Sequence, residues 1–162
     1  MHLLELRLQA QAMPRTVVNA SISGETTVGG LARLPKLLTD AKPALVIVEL
    51  GANDGLRGLP LAEIRTNLQH ILGAIRDAGA RSVVLGIELP INYGPQYRDG
   101  LREMYRGLAQ EFNAPLVPFL LDGVAPDANL MQDDGLHPKA AGELRVLDNV
   151  WAALKPALKA LK

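Results

Sequence analysis

The segment MQDDGLHP, Met131 to Pro138, sets Asp134 three residues before His137 in a stretch too rich in Gly, Pro and acidic side chains for an ordinary helix. A carboxylate so placed can accept a hydrogen bond from the imidazole, fix its tautomer and leave the second ring nitrogen free to take a proton. That is the base half of nucleophilic hydrolysis, and Asp133 is a second candidate for the orienting task. His2 stands at the start of the chain and His70 inside a helical period, so His137 is the histidine to watch. The missing member is a nucleophile. Ser21, Ser23 and Ser82 are the only serines, and no G-x-S-x-G elbow occurs. Two other readings stay open: Asp134 and His137 cap the last helix before Pro138, or Asp54, Asp133, Asp134 and His137 bind a metal. One histidine with loop carboxylates is thin ligation for a transition metal.

Charge developing on a substrate oxygen needs donors, and two stretches offer them. TVVNASI runs into Ser21-Ile22-Ser23-Gly24-Glu25-Thr26-Thr27, and ALVIVEL runs into Gly51-Ala52-Asn53-Asp54-Gly55. If both follow neighbouring strands, the Gly24 N–H and the Asn53 side-chain amide meet as an oxyanion hole. The plainer alternative is that Gly24 and Gly51 turn the chain while Asn53 and Asp54 cap a helix.

These loops need strands to hold them. TVVNASI, ALVIVEL and SVVLGIEL are near-continuous apolar runs, the pattern of strands buried on both faces, and PLVPF is a weaker fourth. Between them lie helical periods: VGGLARLPKLLTDA, then LAEIRTNLQHILGAIRDAG with Ile64, Leu68, Ile71, Leu72 and Ile75 on one face and Gly79 as its stop, then YRDGLREMYRGLAQEF. A last helix is expected from about Lys139 to Leu161, and a short amphipathic one at MHLLELRLQAQ before Pro14. Strand and helix in alternation imply a parallel sheet covered on both faces, a three-layer α/β sandwich in one domain spanning 1–162. In such sheets, chemistry gathers beyond the carboxyl ends of the strands.

The chain has 162 residues, 48% of them apolar, and Lys+Arg and Asp+Glu balance at 17 each. A zero net charge with scattered basic residues gives no footprint for nucleic acid or an anionic membrane, so a small-molecule partner is expected. No cysteine is present, which excludes a thiolate nucleophile and a sulfur-ligated zinc. Glu5 and Arg7 interrupt the apolar start, so no targeting segment is read there, and no run is long enough to span a membrane.

NASISGET, VELGANDGLRG, ELPINYGPQY and MQDDGLHP resemble the signature blocks of the SGNH (GDSL) hydrolases, in particular the bacterial thioesterase/lysophospholipase/arylesterase branch. The resemblance covers the chain from about Thr16 to its end and extends to the neighbours Gly55-Leu56-Arg57-Gly58 and Asn92-Tyr93-Gly94. It implies a flavodoxin-like parallel sheet and hydrolysis of acyl esters or thioesters without cofactor or metal. In that scheme Gly24 and Asn53 are oxyanion donors, His137 the general base and Asp134 its orienting residue. Leu89, Ile91, Tyr93 and Tyr97 line an acyl groove or, alternatively, pack a loop. The resemblance also implies a periplasmic or secreted protein.

The family's Gly-Asp-Ser block, at the end of its first and central strand, has no counterpart here. The expectation is a chain truncated at its start relative to the family; a naturally degenerate, acyl- or lipid-binding pseudoenzyme and takeover by Ser21 or Ser23 are the alternatives. The central strand would then be missing or replaced: by Met1 to Gln11, by a strand from another chain in a homo-oligomer, or by closing up of its neighbours.

Overall fold

The computed structural model describes residues 2–161. Three parallel strands form the sheet, β1 (Leu45–Val48), β2 (Arg81–Leu85) and β3 (Leu116–Val117), in the order β1-β2-β3. Val46 lies beside Ser82 and Val48 beside Val84, while Leu85 lies beside Val117. Because successive side chains of a strand point to opposite faces, the apolar run of β2 supplies two cores at once. Val84 joins Val48 in one core; Val83 and Leu85 join Val117 in the other.

The first core is closed by α2 (Thr27–Ala41), α4 (Leu61–Asp77) and α5 (Pro95–Glu111). Ile64, Leu68, Ile71, Leu72 and Ile75 form the buried stripe of α4, as their spacing predicts, and meet Leu101, Met104, Tyr105 and Leu108 of α5. The second core is closed by α6 (Glu143–Lys159), through Val150, Trp151, Leu154, Ala157 and Leu158, and by α1 (His2–Ala10) through Leu8. The three layers expected from the sequence are therefore present. A short helix, α3 (Ala52–Leu56), follows β1.

Two expectations need correction. TVVNASI is not a strand: residues 16–22 run without regular structure and join no ladder. Val18 is 59% and Ile22 57% exposed, and only Val17 packs, half-buried, on the second core. Its β-branched composition favours a pleated, half-buried surface, but a strand exists only with a partner, and none lies beside it. α6 also starts at Glu143 instead of near Lys139. Met131 and Pro138 form an antiparallel bridge, and Gln132 N–H donates to the His137 carbonyl at 2.8 Å, so the backbone is still extended where a helix would begin.

Of the ways to replace a central strand, two are absent among the described residues. The N-terminal segment is a helix docked on α6, with Arg7 paired to Asp148 at 2.8 Å and lying over the Trp151 ring, so it does not enter the sheet. Nor do residues 16–22 close up against β1, whose outer edge pairs with no described strand.

The contrast between the two valine runs is measurable. Val83 is fully buried, and Val83→Ala should cost about 2–3 kcal/mol in urea denaturation from two lost methyl groups and the space they leave. Val18→Ala should change stability by no more than about 0.5 kcal/mol. Equal losses at the two positions would restore the reading of TVVNASI as a buried strand.

Candidate active site

The 131–138 turn brings its aspartate and histidine together by local bonds. Asp134 Oδ1 accepts the main-chain N–H groups of Leu136 (2.9 Å) and His137 (3.1 Å), which locks the carboxylate against the turn. Its Oδ2 is then 2.7 Å from Nδ1 of His137. Gly135, at φ +66°, supplies the left-handed residue this reversal requires. The imidazole and both loop N–H groups hold the Asp134 carboxyl down to about 2, the imidazole being the larger cause. The side chains are exposed, and the Nε2 face of His137 makes no hydrogen bond among the described residues. Asp133, the other candidate, makes no bond to His137; it lines an open depression of about 380 Å³ with Gln132, Asp134 and Lys139.

The two donor loops are joined to each other. Asn53 Nδ2 donates to the Glu25 carbonyl at 3.0 Å, and the Arg57 guanidinium approaches the Gly24 carbonyl at 3.5 Å. Gly24 has φ +77°, and a Cβ there would meet nothing, so glycine is needed for its backbone angle and not for space. Gly51 is tighter. At φ +106° it turns β1 into α3, and a Cβ would run into the Tyr105 hydroxyl, which donates to the Leu50 carbonyl at 2.8 Å. Burial pushes that phenol far up, so it acts as a fixed donor.

The other candidates separate. Ser21 and Ser23 are exposed, and neither hydroxyl bonds His137; Ser21 uses its main-chain N–H on the Asn19 side chain at 3.1 Å. Asp54 is fully buried with its oxygens on Thr27, so the metal alternative loses that ligand. No cluster of three or more metal-binding side chains occurs among the described residues. Leu89 is 3% exposed and packs in the first core. Tyr93 and Tyr97 stack at 6.5 Å and donate to the carbonyls of Leu56 and Leu59, pinning the turn after α3. Ile91, at 83% exposed, alone of the four is fully offered to solvent.

Sequence reasoning missed three contributors. Thr27 and Asn67 complete the Asp54 network; no local pattern marks them because their partners are 27 and 40 positions away. Glu49 follows β1 directly, and although its side chain reaches solvent its carboxyl is raised, first by partial burial and then by the charge of Glu143.

The parallel α/β sandwich, with Asn53 just beyond β1 and the Asp134–His137 pair on a loop after β3, agrees with what the sequence comparisons show. Residues 2–145 match the GDSL-like Lipase/Acylhydrolase family, and the chain belongs to it. It is 49% identical over 156 residues to the protein named Esterase TesA of Pseudomonas aeruginosa, spanning 96% of this chain and 78% of that one. To Thioesterase 1/protease 1/lysophospholipase L1 of Escherichia coli (strain K12) it is 43% identical over 141 residues, 87% of this chain and 68% of that one. A crystal structure of TesA superposes with a TM-score of 0.93, covering 96% of this chain and 86% of its own.

The Asp134–His137 pair makes a titration prediction. A carboxyl lowered in the folded chain contributes stability above its ordinary value of 3.8, and that contribution is lost as pH falls towards about 2. The Asp134 carboxyl carbon, followed by NMR, should titrate near 2. In His137→Ala it should move up yet stay below 3.8, since the two loop N–H groups remain. An ordinary midpoint in the unsubstituted chain would mean the pair does not form in solution.

Proposed function

We propose that these residues carry the base, its orienting carboxylate and the oxyanion donors of a serine hydrolase for acyl esters and thioesters. The nucleophile, absent from the 162 residues, belongs to a strand ending in Gly-Asp-Ser that would pair with the outer edge of β1. The observation that carries this reading is the 2.7 Å approach of Asp134 Oδ2 to His137 Nδ1, with Nε2 left open. The relatives named esterase and thioesterase/lysophospholipase support the choice of substrates.

The chemistry follows from these roles. The serine Oγ attacks the acyl carbonyl while His137 Nε2 takes its proton; Asp134 holds the Nδ1–H and stabilises the imidazolium. The oxyanion accepts hydrogen bonds from the Gly24 N–H and from Asn53 Nδ2. Collapse expels the alcohol or thiol, protonated by His137, and leaves a serine ester. Water, deprotonated by the same base, then releases the carboxylic acid. No cofactor or metal is needed. Ile91 and the Tyr93–Tyr97 ledge would favour small to medium acyl chains.

A second reading is favoured by one observation: neither Ser21 nor Ser23 bonds His137. On that reading the chain is an acyl- or lipid-binding pseudoenzyme. The free edge of β1 also admits a strand from another copy, in which case the assembly is a homo-oligomer.

Hydrolysis of p-nitrophenyl esters separates the readings. The 162-residue chain should run at background, with His137→Ala unchanged. An N-terminal extension of about 25 residues, an apolar strand closing in Gly-Asp-Ser-Leu, should confer turnover that His137→Ala then lowers by a factor of about 10³–10⁴. An extended chain that is stabilised but inactive on every acyl length supports the pseudoenzyme.

A further inference from the structure

We propose that Asp54 is the positioning residue of the oxyanion donors, a buried clamp that sets the spacing between the Gly24 loop and Asn53. The inference rests on the hydrolase reading above and concerns how its donor pair is held.

Thr27 and Asp54 are the two polar side chains buried in this chain among the described residues, both at 0% exposure, and they bind each other. The Thr27 hydroxyl donates to Asp54 Oδ1 at 2.5 Å, and the Thr27 N–H donates to Oδ1 at 3.1 Å and Oδ2 at 2.9 Å. Asn67 of α4 donates to the Thr27 hydroxyl at 3.1 Å, so that oxygen is used as donor and acceptor. Thr27 opens α2, whose first N–H groups have no partner inside the helix, and the preceding Thr26 supplies no side-chain cap. Asp54 is therefore a cap delivered from another helix, 27 residues away.

The position of this cap matters for the site. Asp54 lies next to Asn53 in α3, and Thr27 lies three residues after Gly24. The clamp thus fixes α3 against the loop that carries the first donor. Asn53 is held as well, with one N–H on the Glu25 carbonyl and the second left for an oxyanion. Glu25 is in turn gripped by the Arg33 guanidinium, whose Nε donates at 2.7 Å. Gly24 is exposed and Asn53 half-buried, at the edge of a network whose centre, Thr27 and Asp54, is fully buried. Oxyanion stabilisation depends on donors that do not have to move when charge develops, and this buried pair removes that freedom.

The test uses Thr27→Val, which keeps the N–H and the shape but removes the hydroxyl, Thr27→Ser as the rescue, and Asp54→Asn. In the 162-residue chain, NMR exchange of the Asn53 side-chain amide should quicken about tenfold or more in Thr27→Val and Asp54→Asn. It should return in Thr27→Ser, while the Val83–Leu85 amides of β2 stay protected in all. In the serine-bearing extended chain, kcat on p-nitrophenyl acetate should fall about tenfold or more with KM within about twofold. Unchanged Asn53 exchange in Thr27→Val overturns the clamp, as does faster exchange with kcat intact. If the extended chain with Asp54 and Thr27 intact shows no turnover, the hydrolase reading fails, and Asn53 exchange alone then decides whether the clamp exists. Should Asp54→Asn fail to fold, Thr27→Val decides between these outcomes by itself.

Discussion

The N–H and C=O groups of a parallel strand point alternately to its two sides, so pairing on one side alone satisfies only half of them. β1 is such a strand. It is bonded to β2 along its length, and no described strand lies on its other side. Its Leu45 and Ile47 are half-buried on the second core, whereas Val83 and Leu85 of β2 are closed off on the same face. Unpaired edges of this kind attract strands, and natural proteins blunt them with charge, proline or a covering element. Leu45–Val48 carries neither charge nor proline. On the proposed reading, the edge, the unpaired 16–22 segment and the absent nucleophile are three aspects of one unfilled position.

The Asp134–His137 pair and the Gly24 and Asn53 loops are held by different physics. Asp134 and His137 are exposed and are held by a tight turn whose bonds span two or three residues. The Gly24 and Asn53 loops depend on long-range buried contacts, with Asp54 on Thr27 and Tyr105 on the Leu50 carbonyl. Acid should therefore act on the Asp134–His137 pair and packing changes on the loops.

Local chemistry was legible in the sequence and long-range pairing was not. The apolar stripe of α4 and the Asp134–His137 spacing could be read because each is set by residues a few positions apart. ALVIVEL and SVVLGIEL became strands because each found a partner. TVVNASI, of equal β propensity, did not, since propensity is only a preference for a surface that others must complete. The start of α6 was misplaced because the Met131–Pro138 bridge, not the helix propensity of Lys139 to Ala141, governs that backbone. Asp54 read as a helix cap, and it is one, but for α2 and not for its own α3. Leu89 and the two tyrosines show the same ambiguity: an apolar loop residue near a site is groove or core according to which way the chain turns.

The proposed seat of the nucleophile-bearing strand is the outer edge of β1. Hydrogen exchange at Leu45–Val48 tests it most directly, compared between the 162-residue chain and the same chain extended by a Gly-Asp-Ser strand. The β1 amides facing away from β2 should exchange rapidly in the shorter chain and become protected about a hundredfold or more in the longer one. Full protection of those amides before any extension, or no gain after it, would contradict the claim.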